Sequence, residues 1–489
     1  MPHPKLLSLS LLTAMLLGAC GTALPGARAP QPTSVPPLIF PTREAEFTPM
    51  PTRPPYAPAE LVDYTAQAGD TLPALASHFN TTEAEIRTAN PIIPKTVSTM
   101  PPGLPMKIPI YYLPLWGTAY QIIPDSLYVN GPESVDFDLE GFIEAAPGWL
   151  KTYREPRPEG SFTAAQVIRL VSSHFSISPR LQLALLEYFA QGLSNPTPPA
   201  TEYIFGYKSE LHKGLYMQLV WAANTLNNGY YGWRRGALLE FETPDKRIQR
   251  PDPWQNAATV ALQYFFSRNY SIPQYDDMTG PGGLAQTYKS LFGDPWLKVN
   301  PHIPGSLTQP DFYLPFEPGK GWNYTGGPHN AWGSGEPLAA IDFAPNGVQG
   351  CGDSMEWVTA MTGGLVVRSG EGEVVVDLDG DGSELTGWNI FYLHLASLDR
   401  VRAGVRIQAG DRIGHPSCEG GESTGTHVHL ARKYNGEWIL ADSPLPFTLE
   451  GWVVKNGASI YKGTLVRFSD VITASSRAEG FSYIISDRK

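Results

Sequence analysis

At 489 residues the chain is too long for one hydrophobic core, and the expectation is roughly three domains. A composition of 42% hydrophobic and 17% charged residues is that of a folded globular protein, not a disordered one. The formal net charge of −11 argues against nucleic acid as a partner, because phosphate binding needs a cationic face.

The N-terminus reads as an export signal: Lys5 supplies the positive charge, and Leu6 to Leu17 form an apolar run too short to span a bilayer. The run ends in Leu17-Gly18-Ala19-Cys20, which resembles a bacterial lipobox. The resemblance implies that Cys20 is lipidated and becomes the mature N-terminus, anchoring an exported protein at the cell envelope, facing the wall. No other stretch approaches about 20 consecutive apolar residues, so lipid would be the only membrane anchor. Residues 21–60 hold 11 prolines and read as a semi-rigid tether. At roughly 3.1 Å per residue it would reach about 120 Å.

Residues 61–112 follow a strand–helix–helix–strand pattern. Tyr64 to Leu72 contain a Gly69-Asp70 turn, Leu72, Leu75, Ala76 and Phe79 form one apolar helix face, Thr82 caps a second helix, and Met106-Lys107-Ile108 close the unit. Pro73 falls in the first helical turn, where it is tolerated. The segment resembles a LysM domain over nearly its whole length, which implies binding to N-acetylglucosamine-containing glycan and hence to peptidoglycan.

Residues 113–313 are aromatic-rich and show helical periodicity near Thr163–Phe175, Pro179–Gly192, Gly214–Asn227, Gln255–Tyr270 and Gly283–Phe292. Segments around Ile177–Tyr188 and Gly214–Gln218 look distantly like lytic transglycosylases and goose-type lysozymes. That resemblance makes Glu187 the one nearby candidate for a general acid, although the family's Glu-Ser pair is missing and its glutamate would fall at Ala190.

The chemistry concentrates in residues 314–489, with a core at about 314–450. In order come Thr325-Gly326-Gly327-Pro328-His329, Asp342, the strand Asn389–Leu395 with His394, and Thr424-Gly425-Thr426-His427-Val428-His429. Residues i and i+2 of a strand share a face, so His427 and His429 should present their imidazoles together, as should Tyr392 and His394. The order His, Asp, His, His-x-His resembles the lysostaphin-type (LytM-like) zinc endopeptidases, and the Gly-Gly-Pro-His start is closest to the β-lytic branch. The resemblance implies zinc ligands His329, Asp342 and His429, and a catalytic pair His394 and His427. It departs from most of the family in having 12 residues between His329 and Asp342.

With Cys20 lipidated, the remaining cysteines, Cys351 and Cys418, can pair, as expected outside the cytoplasm. His415 reads as a loop residue, and Asp377-Leu378-Asp379-Gly380-Asp381-Gly382 as a polar hairpin turn lacking an EF-hand's closing glutamate. Residues after about 455 carry no recognisable chemistry. The expected whole is multidomain α+β: a small βααβ LysM domain, a mainly α-helical middle domain and a mostly antiparallel β peptidase domain. Such a chain would hydrolyse peptide bonds in the stems or cross-bridges of peptidoglycan with Zn²⁺. The alternatives are a non-catalytic wall-binding scaffold or hydrolase activator, and glycan cleavage by the middle domain.

Overall fold

The computed structural model describes residues 55–158 and 160–488, so the export signal, Cys20 and nearly all of the tether lie outside the described residues. Among the described residues no helix is long and apolar enough to cross a membrane.

The first unit pairs β1 (Glu60–Thr65) antiparallel with β2 (Pro105–Ile110), around α1 (Leu72–His78) and α2 (Glu83–Ala89). Thr71 caps α1, Pro73 sits in its first turn, and Thr82 with Glu85 forms a reciprocal capping box on α2. Leu72, Leu75, Ala76 and Phe79 are buried with Ile86 and Ile108.

Five longer helices build the middle of the chain: α3 (Ala164–Phe175), α4 (Pro179–Ala190), α5 (Gly214–Arg234), α6 (Ala257–Ser267) and α7 (Leu284–Phe292). Helix α5 runs seven residues beyond the Gly214–Asn227 expected from periodicity, because its last two turns are buried on nearly every side and no longer show an amphipathic stripe. Helices α5 and α6 cross closely at Gly229, where a Cβ would lie 2.7 Å from the Ala261 Cα.

The C-terminal part is a nine-stranded antiparallel sheet. From one edge it runs Arg406–Ile407, β5 (Gly364–Gly370), β6 (Glu373–Asp377), β7 (Trp388–Leu393), β8 (Val428–Tyr434), β4 (Leu338–Pro345), β3 (Gly321–Asn330) and Tyr483–Ile485, with Glu437–Trp438 pairing off β8. One face buries Tyr324, Ile341, Phe343, Val376, Ile390, Tyr392, Val428 and Leu430 in a common core. A four-stranded sheet over residues 448–473 packs against that core through Leu449, Trp452, Val454 and Leu465.

A buried charge cluster at the end of α5 joins all three parts. Arg234 reaches the Ala68 carbonyl, Asp125 at 3.0 Å and Glu437 at 3.1 Å, and His302 lies 2.6 Å from Glu437. Removing one member of such a cluster strands the others, at a cost of about 3–5 kcal/mol.

Nearby, His78 of α1 stacks on Trp233 at 3.5 Å and its Nε2 meets the Trp233 carbonyl at 3.0 Å. Burial, aided by the Arg234 charge and opposed by that carbonyl, lowers its pKa from 6.5 to about 3. The imidazole is therefore neutral in the folded protein and protonated in the unfolded chain below about pH 6.5. Its contribution is fully present above pH 6.5 and is lost as the pH falls towards about 3, by up to about 1.4 kcal/mol per pH unit. Urea titrations between pH 7 and 4 should show this loss, and His78→Phe, which keeps the stack, should flatten it.

Candidate metal centre

Three neighbouring strands deliver the central residues. Asp342 of β4 stands directly opposite His429 of β8, and His329 lies near the end of β3 opposite Ala340. The β3–β4 ladder shifts register at Gly326, at His329 and again at Asn330. Bulges of this kind re-aim side chains, and here they turn His329 towards a residue two positions further along the partner strand.

The candidate ligand atoms form a tight triangle. His329 Nε2 is 3.1 Å from His429 Nδ1, and each lies 3.3 Å from Asp342 Oδ1. His329 Nδ1 faces the Gly327 carbonyl at 2.8 Å and His429 Nε2 the Ala331 carbonyl at 3.1 Å. A carbonyl can only accept, so those outer nitrogens carry the protons and the inner ones present lone pairs. Asp342 Oδ1, buried, has no hydrogen-bond donor among the described residues. Three acceptors converge with no proton between them, an arrangement that fits a cation. Tetrahedral zinc with ligands at ~2.0–2.1 Å would set its donor atoms ~3.3 Å apart, so the residues fit that ion. Burial pushes the Asp342 carboxyl up, but the neighbouring His329 and His427 hold it well below the usual carboxylate range.

His427 and His394 stand beside the triangle. His427 Nε2 is 3.6 Å from Asp342 Oδ1, and the His394 and His427 rings are 4.5 Å apart. Both rings are tied through Nδ1 to carbonyls, His427 to Gly425 at 2.7 Å and His394 to Glu419 at 3.0 Å, leaving Nε2 as proton acceptor. Burial, then the neighbouring His427 and His429, lowers the His394 pKa to about 3.

The expectation that Tyr392 and His394 share a face is corrected. Tyr392 points into the core, where its hydroxyl accepts from the Met361 N–H. His394 follows the end of β7 with φ +65°, and this left-handed residue breaks the alternation and turns the imidazole to the site. A β-region residue there would have followed Tyr392 into the core. Backbone strain of this kind costs about 1–3 kcal/mol and is retained where a site needs it.

Gly326 makes room for Asp342: a Cβ there would sit 2.3 Å from its Oδ2. Gly326→Ala should displace the carboxylate and weaken zinc binding by ~10–100-fold, the range typical of lost ligand support. A competitive zinc titration measures this, with Gly370→Ala, whose Cβ would meet nothing within 4 Å, as control.

The long connection from His329 to Asp342 is held by the helical part. Asn224 accepts from Ser334 N–H and Asn228 from Glu336 N–H, both at 2.8 Å, Arg235 pairs with Glu336 at 2.6 Å, and Trp332 stacks on His174 of α3. Cys351 and Cys418 are bonded, fastening the loop after β4 to the segment whose Glu419 carbonyl orients His394.

Several sequence readings change. Residues beyond 455 do reach the site: Tyr461 stacks on His329 at 4.2 Å, and its backbone N–H donates to the Pro328 carbonyl. No motif announced it, because it arrives through a hairpin of the second sheet. His415 is a loop residue, as expected, and is buried against Trp357 with Nδ1 on the Glu356 carbonyl. The Asp377 carboxylate accepts three backbone N–H groups of the β6–β7 turn. Glu187 is fully engaged with Leu193 N–H, Ser194 N–H and the Ser194 hydroxyl, which ties down the end of α4 and removes the observation that favoured it as a general acid.

Residues 344–440 match peptidase family M23. The chain carries an M23 peptidase domain. The matched stretch includes His394, His427 and His429 and starts two residues after Asp342, so the placement of His329 and Asp342 rests on the geometry. Residues 121–305 match the family described as LasA, N-terminal domain. Protease LasA of Pseudomonas aeruginosa is 24% identical over 333 residues, covering 64% of this chain and 74% of that protein. Beta-lytic metalloendopeptidase of Achromobacter lyticus is 28% identical over 165 residues, 32% of this chain and 41% of its own. A solved structure described as the M23 metalloprotease pseudoalterin from the deep sea covers 34% of this chain and 96% of its own at 27% identity, with a TM-score of 0.29.

Proposed function

We propose that the chain is an exported zinc metalloendopeptidase that hydrolyses peptide bonds in the stems or cross-bridges of peptidoglycan. The observation that carries this reading is the convergence of three unprotonated acceptors, on His329, Asp342 and His429, beside two further imidazoles. The M23 match and the metalloendopeptidase relatives support the reaction class, and the relatives' names give no bond.

His329, Asp342 and His429 would hold the zinc ion, which when bound polarises a carbonyl and brings the pKa of a water towards about 7. His394 and His427 supply the proton chemistry. Each has a free Nε2 fixed by a carbonyl behind the ring, so either can take the proton of the attacking water without reorientation. The imidazolium so formed stabilises the tetrahedral oxyanion and returns the proton to the leaving amine. Because burial disfavours the charged form of His394, its proton is readily surrendered. The disulfide and the Glu419 carbonyl keep that ring in place between turnovers.

The strand–helix–helix–strand unit would add affinity for wall glycan as a LysM module, and Cys20 would add a lipid anchor. Part of the unit's surface, including the turn at Ala68–Asp70, is committed to Arg234, so any glycan would bind the face turned away from α5. Mass spectrometry of purified peptidoglycan incubated with the protein tests the whole reading. Chelator-sensitive appearance of free amines in cross-linked peptides is the expected result. Intact peptides with protein pelleting on the wall would replace it with the scaffold reading.

A further inference from the structure

Away from the metal centre, a cavity of about 240 Å³ opens in the LasA-type domain between α5, α6 and the segment at Tyr207. Its wall is built from Tyr207, Trp221, Asn228, Tyr264, Arg268 and Asn269. Tyr207 and Trp221 stack at 4.6 Å and 4° into one flat slab, and the Arg268 guanidinium lies 5.4 Å from the Tyr264 ring centre.

The polar groups of this wall are largely uncommitted. Asn228 spends its Oδ1 on the Glu336 N–H and Asn269 its Nδ2 on the Phe205 carbonyl. The Asn228 Nδ2, the Asn269 Oδ1 and the Arg268 guanidinium have no hydrogen-bond or ion-pair partner among the described residues, nor do the Tyr207 and Tyr264 hydroxyls. No Asp or Glu lines the cavity, so its one formal charge is positive. Such a site disfavours cations, and the volume, below that of pockets for drug-sized ligands, suits a single ring with its substituents.

We propose that this cavity binds an N-acetylated amino sugar with a free carboxylate, as in wall glycan from which the stem peptide has been removed. Arg268 grips the carboxylate with paired N–H donors. Asn228 Nδ2 donates to the acetamido carbonyl while Asn269 Oδ1 accepts its N–H. The tyrosine hydroxyls meet the ring hydroxyls, and the aromatic wall takes the apolar C–H face. The choice of a wall sugar rests on the peptidoglycan reading above. The position adds to it: Asn228 holds Glu336 in the same connection whose Ala331 carbonyl fixes His429. Helix α5 thus lines the cavity and also holds, through Asn224 and Asn228, the connection between His329 and Asp342.

Ligand-observed NMR titration of the full chain with N-acetylmuramic acid and N-acetylglucosamine, in the presence of chelator, tests the proposal without any turnover. The expected result is a saturable site preferring N-acetylmuramic acid, weakened about tenfold by Arg268→Gln, with N-acetylglucosamine binding unchanged. Arg268 is exposed, so this variant should fold, and Tyr264→Ala should weaken both sugars. Absence of N-acetylmuramic acid binding, or equal affinity in the wild type and both variants, overturns the cavity assignment. Chelator-sensitive peptide cleavage by the same preparation would show separately whether the peptidase reading stands.

Discussion

His429→Ala should lose stoichiometric zinc and reduce peptidase kcat/KM by about 10³-fold or more, since the metal's contribution to the transition state is several kcal/mol. The geometry makes the loss severe. His429 Nδ1 stands 3.1 Å from His329 Nε2 and 3.3 Å from Asp342 Oδ1, so its removal leaves two donors where a catalytic site needs three. Metal analysis of the purified variant gives the first readout and the cleavage assay the second. A variant that kept one zinc per chain would show that the ion sits elsewhere. Circular dichroism guards against unfolding, which is not expected, because the core face of β8 is formed by Val428 and Leu430 and is untouched.

His394→Ala should do the opposite with the metal and nearly the same with turnover. It should retain zinc, because His394 is not in the triangle, and lose kcat by ~10²–10⁴-fold, the usual worth of a positioned acid–base group. The left-handed backbone at φ +65° adds a second readout. Asparagine adopts that region more readily than alanine, so His394→Asn should be the more stable of the two while being equally inactive. Equal inactivity with unequal thermal stability separates the chemical role of the imidazole from its conformational one. If His394→Asn kept substantial turnover, His427 alone would be carrying the proton.

The site was more legible in the sequence than the contacts that support it. His427 and His429 could be placed on one face because a strand has a period of two, and the resemblance to the lysostaphin-type peptidases implied the rest. The same period misled at His394, where one residue with positive φ reversed the expected direction after Tyr392. A pattern of hydrophobicity carries no sign of φ, so only the folded backbone could reveal it. Helix α5 was read too short because burial on all sides erases the amphipathic stripe by which helices are recognised.

The sequence by itself determined the capped helices α1 and α2, which follow from local periodicity and local hydrogen bonds, while the antiparallel, His- and Asp-bearing C-terminal domain was an expectation implied by its resemblance to the lysostaphin-type peptidases. Tertiary structure alone decided the rest: that Tyr461 lies on His329, that Asn224 and Asn228 hold the long connection to Asp342, and that Gly326 leaves space for a carboxylate. Each of these joins residues more than ten positions apart in the chain. Their chemistry exists only once the hydrophobic effect, which is blind to direction, has packed one element against another and fixed which side chains meet.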